Sequence, residues 1–179
     1  MKLYERLTKS ILRRLLKDYT FRYQTVEEAE GLYYYISDGT AVYRLDSMNL
    51  LINPKRMENK IDELIQDAMR VNNLVRMKYA GCNSMELGKV NNYIYVEPSG
   101  KYEIQLQWEF LSLFEGYDFI TYDEYNNLCV IFKEDEVMGY LRPVMKVKYR
   151  ADEENEKGYS VEVEPLQIEA PESRAEVVH

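Results

Sequence analysis

The chain has 179 residues, 46% hydrophobic and 30% charged, with a formal net charge of −8, which suits one globular domain. No apolar run approaches the roughly 20 residues that span a bilayer. The single histidine is the last residue, His179, and Cys82 and Cys129 have no zinc-ligand spacing, which excludes histidine triads, histidine metal sites and cysteine zinc centres.

Residues 3 to 17 read as an amphipathic helix. Leu3, Leu7, Ile11 and Leu15 recur every four positions, and Tyr4, Leu12 and Leu16 widen the stripe. The other side carries Arg6, Lys9, Arg13, Arg14 and Lys17, the most basic stretch of the protein. That face suits either solvent or a phosphate backbone, and these five residues are the nucleic-acid-binding candidates. Charges interrupt the apolar residues of "MKLYERLTKSILRRLL", so the segment lacks the continuous core of a signal peptide. The expectation is a cytoplasmic protein of a bacterial cell, with both thiols buried and reduced.

"YTFRYQ" alternates as a strand and "TVEEAE" is a polar link. In "GLYYYISDGTAVYRLD" the Asp38-Gly39 pair predicts a two-residue hairpin turn. That register sets Tyr35 against Val42 and Tyr33 against Arg44 on one face. Tyr34, Ile36, Tyr43 and Leu45 share the other, apolar face. Tyr34 is therefore a core residue, whereas Tyr33, Tyr35 and Arg44 form a face where a partner could dock, with Tyr33 under the Arg44 guanidinium.

Asn53-Pro54 reads as a helix start, and Met57, Ile61, Leu64, Ile65, Ala68 and Met69 predict one long helix ending near Asn72. "LVRMKYAG" is a strand and "CNSMELGKVNN" a loop. "YIYVEPSGKYEIQLQ" is two strands about a Pro-Ser-Gly turn, and "WEFLSLFEG" a short helix closed by Gly116. Strands "YDFITY", "LCVIFK" and "EVMGYL" follow, and "VMKVKY" leads to the C-terminal segment. Residues 151 to 179 hold nine acids and two bases, against 22 acids and 21 bases in the first 150. The expectation is a single domain over residues 1 to 150 and an acidic, largely flexible tail with one short strand at 159 to 163.

Two stretches share a plan: residues 3 to 46 and residues 107 to 142. Each runs helix, Tyr-x-Phe strand, polar link, Leu-initiated strand, acidic turn, and a strand ending in Tyr-x-Leu or Tyr-Leu. Tyr19 and Phe21 correspond to Tyr117 and Phe119, and one two-residue shortening of the link aligns the rest. The implied fold is α+β, two α-β-β-β units sharing one core, with the long helix as an addition.

No Gly-rich phosphate loop is present. Asp46 with Glu58-Asn59-Lys60 resembles an acid-and-lysine nuclease pattern, but it falls on a predicted helix. Asp123-Glu124 and Glu134-Asp135-Glu136 are acid clusters at turns. The reading is a binding protein with no catalytic residues, metal or cofactor, and an unrecognised nuclease as the remaining alternative.

A repeated α-β-β-β unit with a basic helix resembles a domain of the DNA sliding clamps. "LCVIFKEDEVMGYLRPVM" and "YYYISDGTAVYRL" look like the hairpins of small clamp-like proteins of Firmicutes phages and plasmids. The resemblance implies that Arg6, Lys9, Arg13, Arg14 and Lys17 face duplex DNA. The second helix departs from it, carrying Glu109 and Glu115 and no base, and one such unit cannot close a ring. The opening "LTKSILRRLLKDYTFRYQTVEEAEGLYYYISDG" is also similar in character to anti-CRISPR proteins of Firmicutes mobile elements. That resemblance implies inhibition by binding the type II effector nuclease, its guide complex, or DNA at the complex. Acidic segments complement the basic channels of such nucleases. Unpaired hairpin edges would also allow a homodimer.

Overall fold

A computed structural model describes residues 2–15, 20–46, 57–84, 90–114, 116–151 and 159–165. The chain runs α1 (Lys2–Leu15), β1 (Arg22–Glu28), β2 (Gly31–Ser37), β3 (Ala41–Asp46), β4 (Glu58–Asn59), α2 (Glu63–Arg70), β5 (Leu74–Arg76) and β6 (Lys78–Ser84). It continues as β7 (Val90–Val96), β8 (Tyr102–Gln107), α3 (Trp108–Leu111) with a 3-10 turn (Ser112–Phe114), β9 (Phe119–Asp123), β10 (Leu128–Lys133), β11 (Glu136–Leu141), β12 (Met145–Ala151) and β13 (Tyr159–Pro165). The protein is α+β and dominated by two sheets. Among the described residues no helix is long and apolar enough to cross a membrane.

The larger sheet has the order β4-β1-β2-β3-β11-β10-β9-β5. A helix followed by a three-strand meander occurs at each end of the chain's body, and the two meanders join where β3 pairs antiparallel with β11. The hairpin edge expected to be open is therefore closed inside the sheet. The smaller sheet has the order β13-β12-β8-β7-β6.

Both faces of the larger sheet are covered. Ile36, Tyr43, Leu45, Ile120, Cys129 and Ile131 pack against Ile104 and Leu106 of the smaller sheet, together with Ile11 of α1 and Leu111 and Phe114 beside α3. On the other face Tyr35, Val42, Val130 and Tyr140 receive Leu64, Ile65 and Ala68 of α2. Burying a leucine or isoleucine of this kind contributes about 1.5–3 kcal/mol, which holds an eight-residue helix that would not persist alone.

The hairpin at residues 31 to 46 forms with a shifted register. Tyr33 pairs with Asp46, Tyr35 with Arg44, and Ile36 with Tyr43. Asp38 donates its N–H to Ala41 O, so Gly39 and Thr40 are the central turn residues. Positive φ falls on Gly39 (87°) and not on Asp38, the arrangement of a type II′ turn. The Asp38 carboxylate instead accepts from the Thr40 and Ala41 amides at 2.9 and 2.8 Å. The register moved by two, so each side chain keeps its predicted face.

The predicted long helix does not form over residues 57 to 62. Glu58 donates its N–H to Phe21 O, and Glu58–Asn59 adds to β1 in parallel. Asp62 is the true cap, its carboxylate accepting from Ile65 N at 2.8 Å, and the helix runs only from Glu63 to Arg70. The expected start at Asn53-Pro54 lies outside the described residues. "LVRMKYAG" is split at Met77 into β5 of one sheet and β6 of the other. The strand expected in the acidic segment extends to Pro165 and pairs with β12, setting Glu162 opposite Lys148 and Glu164 opposite Lys146. This backbone pairing draws residues 159 to 165 into the smaller sheet, part of what composition alone reads as tail. Cys129 is buried as expected, but Cys82 is exposed.

Candidate functional site

The sequence candidates divide between surface and interior. On α1, Lys9 and Arg13 are exposed, while Arg14 turns inward. Arg14 is ion-paired with Asp38, donates to Tyr43 OH at 2.9 Å, and lies over the Phe110 ring at 5.1 Å. It ties α1 to the hairpin turn and is unsuited to gripping a phosphate. The Arg6 side chain and all of Lys17 lie outside the described residues.

Tyr35 and Arg44 are interior as well. Arg44 is 4% exposed and donates to Glu28 at 2.7 and 3.1 Å and to Val137 O at 3.1 Å, and its guanidinium lies 3.6 Å from the centre of the Tyr33 ring. Tyr35 OH donates to Glu28 at 2.9 Å and lies 3.0 Å from Tyr140 OH. Burial pushes the Glu28 carboxyl up, but the Arg44 and Tyr35 hydrogen bonds more than offset it and hold its pKa below the ordinary value. Burial also pushes the Tyr35 phenol far above its ordinary value. The stacking of Tyr33 on Arg44 forms as expected. The docking role expected of this face meets an obstacle, because α2 covers it, and of the three residues only Tyr33 keeps substantial surface.

The acid clusters are structural. Asp123 is fully buried and accepts from the backbone amides of Asn72, Tyr125 and Asn126 and from the Asn126 side chain. It thereby fastens the end of α2 to the β9–β10 turn. Glu124 pairs with Lys146, whose ammonium sits over the Tyr102 and Tyr122 rings. Glu134 and Asp135 are the central turn residues between β10 and β11, with φ of 49° and 64°. Glu58 and Asn59 lie on an exposed edge strand rather than a helix. Among the described residues, no three acidic, histidine or cysteine side chains converge to hold a metal.

Asp123 sets an acid limit on stability. Burial raises its pKa, but the four N–H donors outweigh burial and lower it below the ordinary carboxylate value of about 3.9. Its contribution is complete above that ordinary value and is lost as pH falls through the depressed, folded-state pKa. Asp123→Asn presents an amide donor to donors that need an acceptor. The expected cost is about 1–3 kcal/mol at neutral pH, with a shallower fall of the urea midpoint below pH 4 than in the parent. An unchanged midpoint at neutral pH would contradict this role.

The feature the sequence reading missed is an open groove of about 540 Å³ between the sheets, lined by Arg76, Met77, Tyr79, Tyr93, Tyr95, Tyr117, Asp118, Phe119 and Ile120. Tyr79 and Tyr95 pair across β6 and β7, on the inner face that also bears Ile104. The chain crosses from one sheet to the other at Met77, whose N–H bonds Ile120 O. Beyond that crossing, among the described residues, Asp118 and Phe119 have β10 on one side and no strand on the other, and Tyr79 at the rim of β6 stays exposed. The signal was present as "RMKY", "NYIY" and "GYDF", but only the tertiary crossing brings these segments together.

Inside the groove, Tyr79 stands edge-on to Tyr93 and Tyr95, with ring centres 5.8 and 5.6 Å apart. Tyr95 OH is hydrogen-bonded to Tyr117 OH. Burial first, and then this bond, push the Tyr95 phenol well above its ordinary value, so it stays neutral. The Arg76 guanidinium lies 4.3 Å from the centre of Phe119, which stacks on Phe132 at 4.8 Å. Asp118 Oδ2 accepts from Glu134 N at 2.7 Å, and among the described residues Oδ1 has no hydrogen-bond partner. The groove can offer aromatic faces, one guanidinium and one carboxylate oxygen to a ligand.

No protein-family model matches the chain, and no curated protein or solved structure matches it either.

Proposed function

We propose that the chain is a non-enzymatic interaction protein of a mobile element, an anti-CRISPR inhibitor that binds the RNA-guided effector nuclease of a type II system or its guide complex. Beside the resemblance of its N-terminal part, one contrast supports this reading. The half-buried Glu28 and the buried Asp123 are tied to internal partners, while the surface turns outward an open groove of tyrosines with one arginine. Tyrosine and arginine around a groove are the composition of contact hot spots. The acidic excess of the chain complements the basic channels of such nucleases.

The test is target cleavage by a guide-loaded type II effector in the presence of the purified chain. Cleavage should fall in proportion to added protein, with co-elution of the two. Full cleavage at a large excess of chain, with no co-elution, would overturn the proposal.

A second reading, a clamp-like DNA-binding accessory protein of phage or plasmid replication, is favoured by the edge-to-edge junction of the two meanders through β3 and β11. It treats residues 3 to 46 and 107 to 142 as duplicated units. Its DNA contacts would fall on Arg6, Lys9, Arg13 and Lys17, since Arg14 is engaged in the fold. Salt-dependent duplex binding that is lost on Lys9→Glu with Arg13→Glu, without nuclease inhibition, would move the assignment to this reading.

A further inference from the structure

We infer that the groove between β6–β7 and the start of β9 binds an unpaired nucleobase of a single-stranded nucleic acid. Four observations converge on a planar, polar ring as the occupant. Tyr79 is 52% exposed beside the half-buried Tyr93, which gives ring surface for stacking. Arg76 rests one side of its guanidinium on Phe119, and an unpaired base can stack on the other side of such a plane. Asp118 Oδ1 is an open acceptor for one N–H donor on a base edge, such as the amino group of guanine. Lys78, exposed next to the groove on the strand that follows Arg76, carries a second positive charge for the phosphates outside it.

The same observations favour a base over an aliphatic side chain. The aliphatic members of the lining, Met77 and Ile120, are buried, while tyrosine and phenylalanine rings and two opposite charges line the rest. The opposite charges of Arg76 and Asp118 balance, which suits a neutral heterocycle better than an ammonium or a carboxylate. An open groove on the surface fits a base within a strand, whose phosphates stay in water, and base stacking on exposed aromatic rings is how single-strand binders gain affinity.

The inference shares its groove with the inhibitor reading but does not depend on it, because binding is measured with the chain alone. The experiment is fluorescence anisotropy with labelled DNA and RNA single strands of about twelve nucleotides, within the site sizes of known single-strand binders. A duplex of the same length, guanosine monophosphate and a short basic peptide are the comparison ligands. Single strands should bind more tightly than the duplex, the mononucleotide or the peptide. Tyr79→Ala should weaken binding about tenfold or more, whereas Tyr79→Phe keeps the ring and should stay within about twofold. Asp118→Asn should remove any preference for guanine-containing strands over thymine strands and leave thymine binding intact. Absence of binding, equal or tighter binding of the duplex, mononucleotide or peptide, or indifference to Tyr79→Ala in a folded variant would each overturn the inference.

Discussion

Glu28→Ala is expected to lower the unfolding free energy by about 3–5 kcal/mol, among the largest effects of any single substitution in this chain. The reason lies in what the substitution leaves behind. Arg44 is 4% exposed, and among the described residues its charge would then face the Val137 carbonyl, the Tyr33 ring, and Glu30, an exposed partner at 3.4 Å. Tyr35 OH would lose its charged acceptor in the same step and keep Tyr140 OH as its partner. Removing both charges, as Glu28→Ala with Arg44→Met, should recover a large part of the loss. A buried pair replaced by apolar groups is often neutral, whereas a pair broken on one side is not. The coupling between the two sites, measured from urea midpoints of the single and double variants, should exceed about 1 kcal/mol. The depressed pKa of Glu28 means that this stabilisation is complete above the ordinary carboxylate range and disappears as pH falls through the folded-state value. Additive single and double variants would show that Arg44 is held by packing alone.

Gly139→Ala is the second severe substitution, with an expected loss of about 3 kcal/mol, the upper end for overpacking. Gly139 sits opposite Tyr43 at the junction of the two meanders. A Cβ there would lie 2.3 Å from Val42 O and 2.6 Å from Cε1 of Phe114. Phe114 stacks on Tyr43, so its ring has no free direction to move, and Val42 O belongs to the paired backbone of β3. The absence of a side chain lets β3, β11 and Phe114 approach. Thermal unfolding reads the result directly. A variant with parental stability would mean that the meanders do not meet at this register.

The sequence pattern carried most of the individual strands but not their order in the sheets, because each hairpin has local turn chemistry and period-2 alternation. In residues 31 to 46 the pattern assigned the faces correctly although the register was off by two. Alternation is blind to an even shift, and the turn position was decided by the Asp38 side chain, a long-range partner of Arg14. The long helix failed for a related reason. Apolar spacing continues from Met57 to Met69, but the backbone at Glu58 is taken by the free edge of β1, and helix formation waits for the Asp62 cap. The strand in the acidic segment was legible in its alternating valines, Val161 and Val163. Its extent was not, because its pairing partner β12 is set by the sheet and not by local pattern. The basic stripe of α1 was legible as composition but not as function, since nothing local reveals that Arg14 is spent on Asp38. Least legible was the tyrosine groove, assembled from three segments whose proximity depends on the chain crossing between sheets at Met77.

The proposed role places the groove at the contact with the guide-loaded effector, and amide hydrogen exchange of the chain with and without that complex tests it most directly. Binding through the groove predicts slower exchange in β6 (Lys78–Ser84) and in β9 (Phe119–Asp123) when the complex is present, and no change in β2 or β3. Unchanged exchange throughout, or protection confined to α1, would contradict it.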